Sequence, residues 1–121
     1  MPKRILYVED NFQNRRLVRK ILTAAGYEML EAEDGQRGVE MALREKPDVI
    51  LMDINMGGMD GIQATAALRA SESAHIPIVA LTAAAMKGDR ERILAAGCDG
   101  YLQKPISKAL LLEALAHYLR K

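Results

Sequence analysis

Polar side chains follow four of the five short apolar runs in this 121-residue sequence. Glu9 and Asp10 come after the first run, and Asp53 comes after the third. Thr82 follows the fourth run and Lys104 the fifth. If the runs are strands of one parallel sheet, their carboxyl ends form one edge, which is where such sheets bind their ligands. That edge is where we look for chemistry.

Three carboxylates at one edge need a positive partner. Two unit charges about 4 Å apart repel by ~4 kcal/mol at an effective dielectric of 20, so the cluster must take up a proton, separate or bind a cation. Carboxylate oxygens with open water positions suit Mg²⁺. The Lys104 ammonium and the Thr82 hydroxyl suit an anion, and such groups stabilise phosphoryl oxygens during transfer. The residues therefore predict phosphoryl transfer, with one of the three carboxylates as the acceptor.

Each of these residues also has a purely structural interpretation. Acidic residues after strands often cap the next helix, a role that Asp10 or Asn11 can fill here. A Lys-Pro pair on its own is typical of a surface turn. The joint placement after four strands favours the functional interpretation, because independent signals that agree on one site are stronger than any one of them.

The apolar runs have the composition of strands. The first, third and fourth are continuously apolar, which is typical of strands covered by helices on both faces. The second is mixed and the fifth is short, so we place these two at the edges of the sheet. The runs span residues 5–8, 27–32, 49–52, 78–81 and 101–102.

Helical patterns follow the strands, most weakly in the alanine-rich segment after Gly61. Gly26 and Gly97 are expected to end the first and fourth helices. Asp34 and Ser107 are expected to cap the second and fifth. Strand and helix thus alternate five times, which predicts a parallel sheet with helices on both faces.

Composition narrows the function classes. The formal net charge is +1 and aromatic residues make up 4%, so nothing points to nucleic-acid binding or to stacking on bases. One cysteine and two histidines exclude an intrachain disulfide and a Cys/His zinc site. The N-terminal apolar run is too short for a signal peptide or an anchor. We expect a cytoplasmic domain that contacts neither membrane nor nucleic acid directly.

Five motifs in a fixed order give the sequence a family resemblance. They are ILYVEDN at 5–11, DVILMDINM at 48–56, MDG at 59–61, IPIVALTA at 76–83 and AGCDGYLQKP at 96–105. The sequence resembles the receiver domain of bacterial two-component response regulators over essentially its whole length. The resemblance implies a flavodoxin-like, doubly wound α/β fold of five strand-helix units, with parallel strands in the order 2-1-3-4-5. It also implies one receiver domain over residues 1–121 with no output domain, acting as a signalling protein and not as an enzyme.

The resemblance also implies roles for individual residues. Asp53 is the expected acceptor of a phosphoryl group from a partner phosphohistidine. Asp10 and Asp53 are expected to bind Mg²⁺ directly, or Mn²⁺ in its place. Glu9 is expected to reach the metal through water and Asn55 through its backbone carbonyl. Asn55 and Ala84 flank the path of the hydrolytic water and are expected to set the lifetime of the phosphate.

The same resemblance implies a switch. Thr82 and Lys104 are expected to contact the phosphoryl group, and Tyr101 is expected to move inward with Thr82 on activation. The bond between Lys104 and Pro105 is expected to be cis, a form that X-Pro bonds tolerate. The surface formed by the fourth helix, fifth strand and fifth helix is expected to report the change.

Its partners are expected to be proteins. A sensor histidine kinase or a histidine phosphotransfer protein supplies the phosphoryl group, and a downstream protein target reads it. We expect a monomer or a weak dimer. The first helix carries four basic residues that form either a solvated face or a docking surface for an acidic partner helix; they are Arg15, Arg16, Arg19 and Lys20.

Three other interpretations were weighed against this one. Haloacid-dehalogenase-type phosphatases also place a nucleophilic Asp after a strand, but they need a second Asp two residues later, where this sequence has Asn55. A flavodoxin-like electron carrier needs a phosphate-binding loop after the first strand, where Glu9 and Asp10 would repel phosphate. The alternative we retain is a pseudo-receiver, a phosphorylation-independent interaction module, although the complete set of acidic, Thr and Lys positions disfavours it.

One departure from the family pattern generates a prediction. Gly57 and Gly58 follow Met56, where the family commonly has proline after the methionine. Because glycine loses more conformational entropy than other residues when a loop becomes ordered, we expect this chain to bind Mg²⁺ less tightly than its Gly57→Pro variant. Calorimetric titration of Mg²⁺ into both proteins measures the difference. Equal or tighter binding by the unsubstituted chain contradicts the prediction.

Overall fold

Short aliphatic runs alternate with amphipathic segments along the chain, and they form strands and helices in turn. The computed structural model describes residues 2–56, 58–83 and 87–119, and within these ranges no helix is long and apolar enough to cross a membrane. The strands are β1 (Arg4–Val8), β2 (Glu28–Ala32), β3 (Val49–Asp53), β4 (Ile78–Thr82) and β5 (Gly100–Gln103). The helices are α1 (Phe12–Ala24), α2 (Gly35–Glu45), α3 (Gly61–Arg69), α4 (Lys87–Ala96) and α5 (Lys108–Tyr118).

The strands form one sheet in the order β2-β1-β3-β4-β5, and all neighbouring pairs are parallel. The predicted order is therefore confirmed, and so is the placement of the second and fifth strands at the edges. After β1 the chain moves to one side of the sheet, and from β3 onward it moves to the other. The switch point consequently lies between β1 and β3, where parallel α/β sheets bind their ligands.

Two apolar cores lie on opposite faces of the sheet. Alternate residues of β1, β3 and β4 face each core, which is why these strands are apolar at successive positions. The first core lies under α2, α3 and α4 and includes Leu6, Ile50 and Ile93. The second lies under α1 and α5 and includes Tyr7 and Leu111. Apolar burial on both faces holds the strand ends in fixed positions.

Most helix boundaries are set as the sequence predicts. The Asp34 carboxylate accepts a hydrogen bond from the Arg37 amide at 2.7 Å and caps α2. Ser107 caps α5 by accepting from the Leu110 amide at 3.3 Å. The sequence left Asp10 and Asn11 as alternative caps of α1. The structure shows Asn11 as the cap, because its side-chain oxygen accepts a hydrogen bond from the Asn14 backbone amide. Asp10 therefore does not serve as the helix cap.

Glycines end two helices as expected. Gly26 after α1 has φ of 90°, and Gly97 after α4 has φ of 115°. Residues with a Cβ rarely adopt this left-handed backbone, so a glycine is the natural place for the chain to turn out of a helix.

Two strand ends differ from the prediction. Asp53 and Thr82 were expected just after their strands, but they are the last residues of β3 and β4. The ladder continues through both, because Asp53 pairs with Leu81 and Thr82 pairs with Gln103. Both side chains are therefore positioned by regular sheet backbone.

The start of α3 packs directly on the end of β3. A Cβ added to Gly61 would overlap the carbonyl oxygen of Asp53 and lie 2.8 Å from Cα of Ile54. This close approach explains the glycine of the MDG motif, because no larger residue fits without moving the backbone beside Asp53.

We therefore expect Gly61→Ala to lower the free energy of unfolding by about 1–3 kcal/mol through overpacking. Gly88→Ala is the matched control, because a Cβ at Gly88 of α4 meets no atom within 4 Å. That substitution should be neutral or stabilise by up to about 1 kcal/mol, since it only restricts the unfolded chain. Urea denaturation measures both values, and an equal effect at the two glycines contradicts the argument.

Candidate functional site

An acidic cluster lies at the switch point of the sheet. Carboxylate oxygens of Glu9, Asp10 and Asp53 all lie within 4.8 Å of one another. Glu9 and Asp53 are each only 1% exposed, whereas Asp10 is exposed. The cluster forms because β1 and β3 are parallel neighbours, so residues that follow or end them meet at one edge. The sequence prediction that these three residues meet is confirmed.

Lys104, which follows the edge strand β5, brings a positive charge to this cluster. Its Nζ donates to Oδ1 of Asp53 at 3.0 Å and to Oε1 of Glu9 at 3.3 Å. The Lys104 amide also donates to the Thr82 carbonyl at 2.7 Å, which ties the loop after β5 to the end of β4. Burial acts to lower the pKa of Lys104, but Asp53 and Glu9 together outweigh it and raise that pKa, so the ammonium stays charged.

The Glu9 carboxylate is held by several donors. Tyr7 donates its hydroxyl to Oε1 at 2.9 Å, and the Asn11 amide donates to Oε2 at 3.2 Å. Burial acts to raise the pKa of Glu9, but hydrogen bonding with Asp53, Asn11 and Tyr7 outweighs it and lowers that pKa. Burial also raises the pKa of Tyr7, so its hydroxyl keeps its proton and acts as a donor. Glu9 therefore loses its proton at a lower pH than its buried neighbour Asp53.

The two oxygens of Asp53 have different surroundings. Oδ1 accepts from the Asn55 amide at 3.2 Å and from Lys104. Oδ2 is buried and accepts no hydrogen bond from the part of the chain that is described. Burial raises the pKa of Asp53 to about 6, and the neighbouring Glu9 acts in the same direction while Lys104 opposes it. One ammonium therefore does not neutralise the site.

The donor set fits a hard divalent cation. Three carboxylates offer oxygen ligands, and the buried Oδ2 of Asp53 is an acceptor that needs a partner. Oxygen-only sites of this kind suit Mg²⁺ or Mn²⁺, whereas zinc favours nitrogen and sulfur ligands. A bound cation would also offset the repulsion from Glu9, which adds to burial in raising the pKa of Asp53.

The proposed switch residues lie nearby on one face of the sheet. Thr82 is buried at the end of β4, two residues beyond Ala80, and Ala80 pairs with Tyr101. Tyr101 is half-buried and packs against the core that contains Ala80. The Tyr101 hydroxyl accepts a hydrogen bond from Arg90 of α4 at 3.4 Å. A contact therefore connects this tyrosine with the α4 surface.

The remaining predicted residues are placed as follows. Asn55 is exposed, and its amide contacts Asp53. The Lys104–Pro105 peptide bond is cis. Gly57 and Ala84 lie outside the described residues.

Sequence analysis missed the contribution of Tyr7. Its neighbours in β1 are aliphatic, and it is fully buried. A buried hydroxyl needs a hydrogen-bond partner, and the two-residue period of a strand places Tyr7 on the same face as Glu9. A tyrosine two positions before the first acidic residue was the signal that could have revealed this contact.

The raised pKa of Asp53 predicts a pH-dependent cost to folding in the absence of metal. Its pKa is about 6 in the folded protein and about 3.9 in an unfolded chain, so the unfolded state loses this proton first as pH rises. The contribution of Asp53 to stability is complete below about pH 4 and is lost as pH rises to 6. We expect Asp53→Asn to raise the free energy of unfolding by about 2–3 kcal/mol at pH 7.5, with little gain at pH 4. Urea denaturation in EDTA tests this, and a pH-independent or destabilising effect contradicts it.

Comparison with known proteins agrees with the fold and the site. The family model described as response regulator receiver domain matches residues 5–116. A polar-differentiation response regulator, DivK of Brucella anthropi, is 42% identical over 120 residues, which cover 98% of each chain.

Two solved structures show the same similarity. The receiver domain of the sensor histidine kinase PA1611 from Pseudomonas aeruginosa PAO1, which has a magnesium ion coordinated in its active site cleft, is 39% identical with a TM-score of 0.93 over 100% of both chains. The chemotaxis protein CheY4 of Vibrio cholerae is 32% identical with a TM-score of 0.92, over 98% of this chain and 100% of that one. The resemblance read from the sequence is thus confirmed, and the chain belongs to the response regulator receiver domain family of two-component signalling.

Proposed function

We propose that this receiver domain is a phosphorylation-dependent signalling switch in which Asp53 accepts a phosphoryl group from a phosphohistidine of a partner protein. The observation that carries the proposal is the buried Oδ2 of Asp53, an acceptor without a hydrogen bond in the described chain, beside the Lys104 ammonium. A purely structural ion pair with Lys104 would need only one buried carboxylate, but both Glu9 and Asp53 are buried beside it. A site built for a cation and an anionic group explains both features.

The residues of the acidic cluster and Asn55 would bind the metal in different ways. Asp10 and Asp53 would hold Mg²⁺ directly, the Asn55 carbonyl would complete the protein ligands, and Glu9 would act through water. The bound cation supplies charge neutralisation to the phosphoryl oxygens. Asp10 is exposed, so a ligand from solvent reaches the cluster on its side. The PA1611 receiver domain, which is similar in sequence and fold, has magnesium in its active site cleft and supports this assignment.

Phosphoryl transfer then depends mainly on position and charge. A carboxylate oxygen of Asp53 forms a bond to phosphorus while the P–N bond to the partner imidazole breaks, and the departing imidazole takes up a proton. Lys104 contacts Asp53 and Glu9 in this structure, and it would contact a phosphoryl oxygen after transfer. Thr82, at the end of the adjacent strand, would contact another phosphoryl oxygen. Fixed donors of this kind lower the barrier without reorganising during the reaction.

Signal lifetime is proposed to depend on the residues beside the acceptor. Water that attacks phosphorus in line with Asp53 would hydrolyse the acyl phosphate. Asn55 and Ala84 would flank that path, and Ala84 has no polar group to orient or to block the water.

The response is proposed to be a population shift. A phosphoryl group biases two conformations only through contacts that it makes better in one of them. Thr82 would supply this contact, and Tyr101 would fill the space that Thr82 leaves. Movement of Tyr101 would alter its hydrogen bond with Arg90 and thereby the surface of α4, β5 and α5. That surface exposes Leu94 and Leu110, which suits a protein target.

Upstream, a sensor histidine kinase or a histidine phosphotransfer protein would dock beside the site. Helix α1 borders the acidic cluster and exposes Phe12 and Leu17. Its basic residues are not equivalent, because Arg15 and Arg19 both form ion pairs with Glu31. Arg16 and Lys20 are exposed and are therefore the better candidates for contact with an acidic partner.

Incubation with acetyl phosphate and Mg²⁺ tests the proposed function. We expect one phosphoryl adduct by intact mass, abolished by Asp53→Ala and by EDTA, because the acceptor oxygen or the cation is then missing. Asp89→Asn, which removes a carboxylate of α4 outside the acidic cluster, is the matched control and should form the adduct at the unsubstituted rate. A wild-type chain that binds Mg²⁺ but gains no adduct contradicts the proposal and favours the pseudo-receiver.

A further inference from the structure

Tyr7 is the largest side chain among the fully buried residues of β1, and its hydroxyl is the one polar group that β1 side chains place inside the second core. Its hydroxyl donates to Oε1 of Glu9 at 2.9 Å. A phenylalanine would fill the same apolar space without a polar atom to bury. The ring is therefore explained by packing, but the hydroxyl is not.

Three donors share the Oε1 atom of Glu9. The Tyr7 hydroxyl lies at 2.9 Å, Nζ of Lys104 at 3.3 Å and Nδ2 of Asn14 at 3.4 Å. Lys104 lies nearer to Asp53, at 3.0 Å. Because Tyr7 is the shortest of these contacts and comes from rigid strand backbone, it fixes the Glu9 carboxylate from the protein interior. Lys104 is then left closer to Asp53 than to Glu9.

We propose that Tyr7 is a positioning residue for the metal site, acting through Glu9. Its hydroxyl holds the Glu9 carboxylate in one orientation, which presets that carboxylate for a metal-bound water and keeps Lys104 at Asp53. This inference rests on the metal site of the proposed function, although it concerns cation binding and not the transfer step. Groups that orient the ligands of a metal typically change its affinity by 10–100-fold when they are removed.

Without the hydroxyl, the Glu9 carboxylate would lose the shortest of its hydrogen bonds and gain freedom to turn toward Lys104. The carboxylate would then compete with Asp53 for the ammonium and would be ordered only when the metal binds. Ordering a side chain when the metal binds weakens binding, because the entropy cost of the lost rotamers makes the free energy of binding less favourable.

Calorimetric titration of Mg²⁺ into wild type, Tyr7→Phe and Tyr118→Phe tests the inference. Tyr118 is the matched control, because its hydroxyl also makes one hydrogen bond, to the Asp99 carbonyl at 3.0 Å, and Asp99 precedes β5 at the opposite edge of the sheet. We expect Tyr7→Phe to weaken Mg²⁺ binding about tenfold and Tyr118→Phe to leave it within about twofold. Urea denaturation in EDTA checks that both variants are folded.

A double-mutant cycle with Glu9→Ala then tests whether Tyr7 acts through Glu9. If it does, adding Tyr7→Phe to Glu9→Ala changes the Mg²⁺ affinity by less than about twofold, since the group being positioned is already absent. The phosphorylation rate adds a second readout. Tyr7→Phe should raise the Mg²⁺ concentration for half-maximal rate about tenfold and leave the rate at saturating Mg²⁺ nearly unchanged.

Several results would overturn the inference. These are an unchanged Mg²⁺ affinity in Tyr7→Phe, an equal loss in Tyr118→Phe, a full additional loss in the Glu9→Ala background, and a wild type without Mg²⁺ affinity. Failure of the proposed function gives a different pattern, in which wild type binds Mg²⁺ but forms no adduct. The calorimetric comparison still decides the role of Tyr7 in that case.

Discussion

Glu9 and Asp53 are buried side by side at the junction of two parallel strands, and the Lys104 ammonium is shared between them. Two charges about 4 Å apart interact by ~4 kcal/mol at an effective dielectric of 20, so one cation offsets only part of the repulsion among three carboxylates. Burial, together with the remaining repulsion from Glu9, raises the pKa of Asp53 to about 6. This excess of negative charge would favour a bound cation, and the two apolar cores hold the charged side chains in place.

The stability needed to hold them comes from elsewhere in the molecule. Strands β1, β3 and β4 bury apolar residues on both faces, and caps such as Asp34 and Ser107 satisfy the helix ends. Local sequence rules agree with one another across these elements, whereas burying Glu9 and Asp53 at the acidic edge conflicts with them. A local conflict inside an otherwise consistent fold is the expected mark of a functional site.

Features set by local sequence signals could be predicted, whereas features set by contacts between distant parts of the chain could not. Apolar runs, glycines and capping residues act locally, so both edge strands and the ends of α1 and α4 were predictable from the residues themselves. The strand order was expected only from the family resemblance. The final residues of β3 and β4 were not predictable, because the ladder that includes Asp53 and Thr82 depends on partner strands far along the chain. The pairing of Arg15 with Glu31 depends on a contact between α1 and the end of β2, which no local pattern encodes.

The two-residue alternation of strands places the acidic residues and the proposed switch residues on opposite faces of the sheet. Glu9 and Asp53 continue the alternation of Tyr7 and Leu51, which face the core under α1 and α5. Thr82 continues the alternation of Ala80, which shares with Tyr101 the core under α3 and α4. Lys104, tied by its amide to the Thr82 carbonyl, connects the two sides. Under the proposed function, a change at the acidic residues would reach the α4 surface through Thr82, the last residue of β4, without direct contact between Asp53 and that surface.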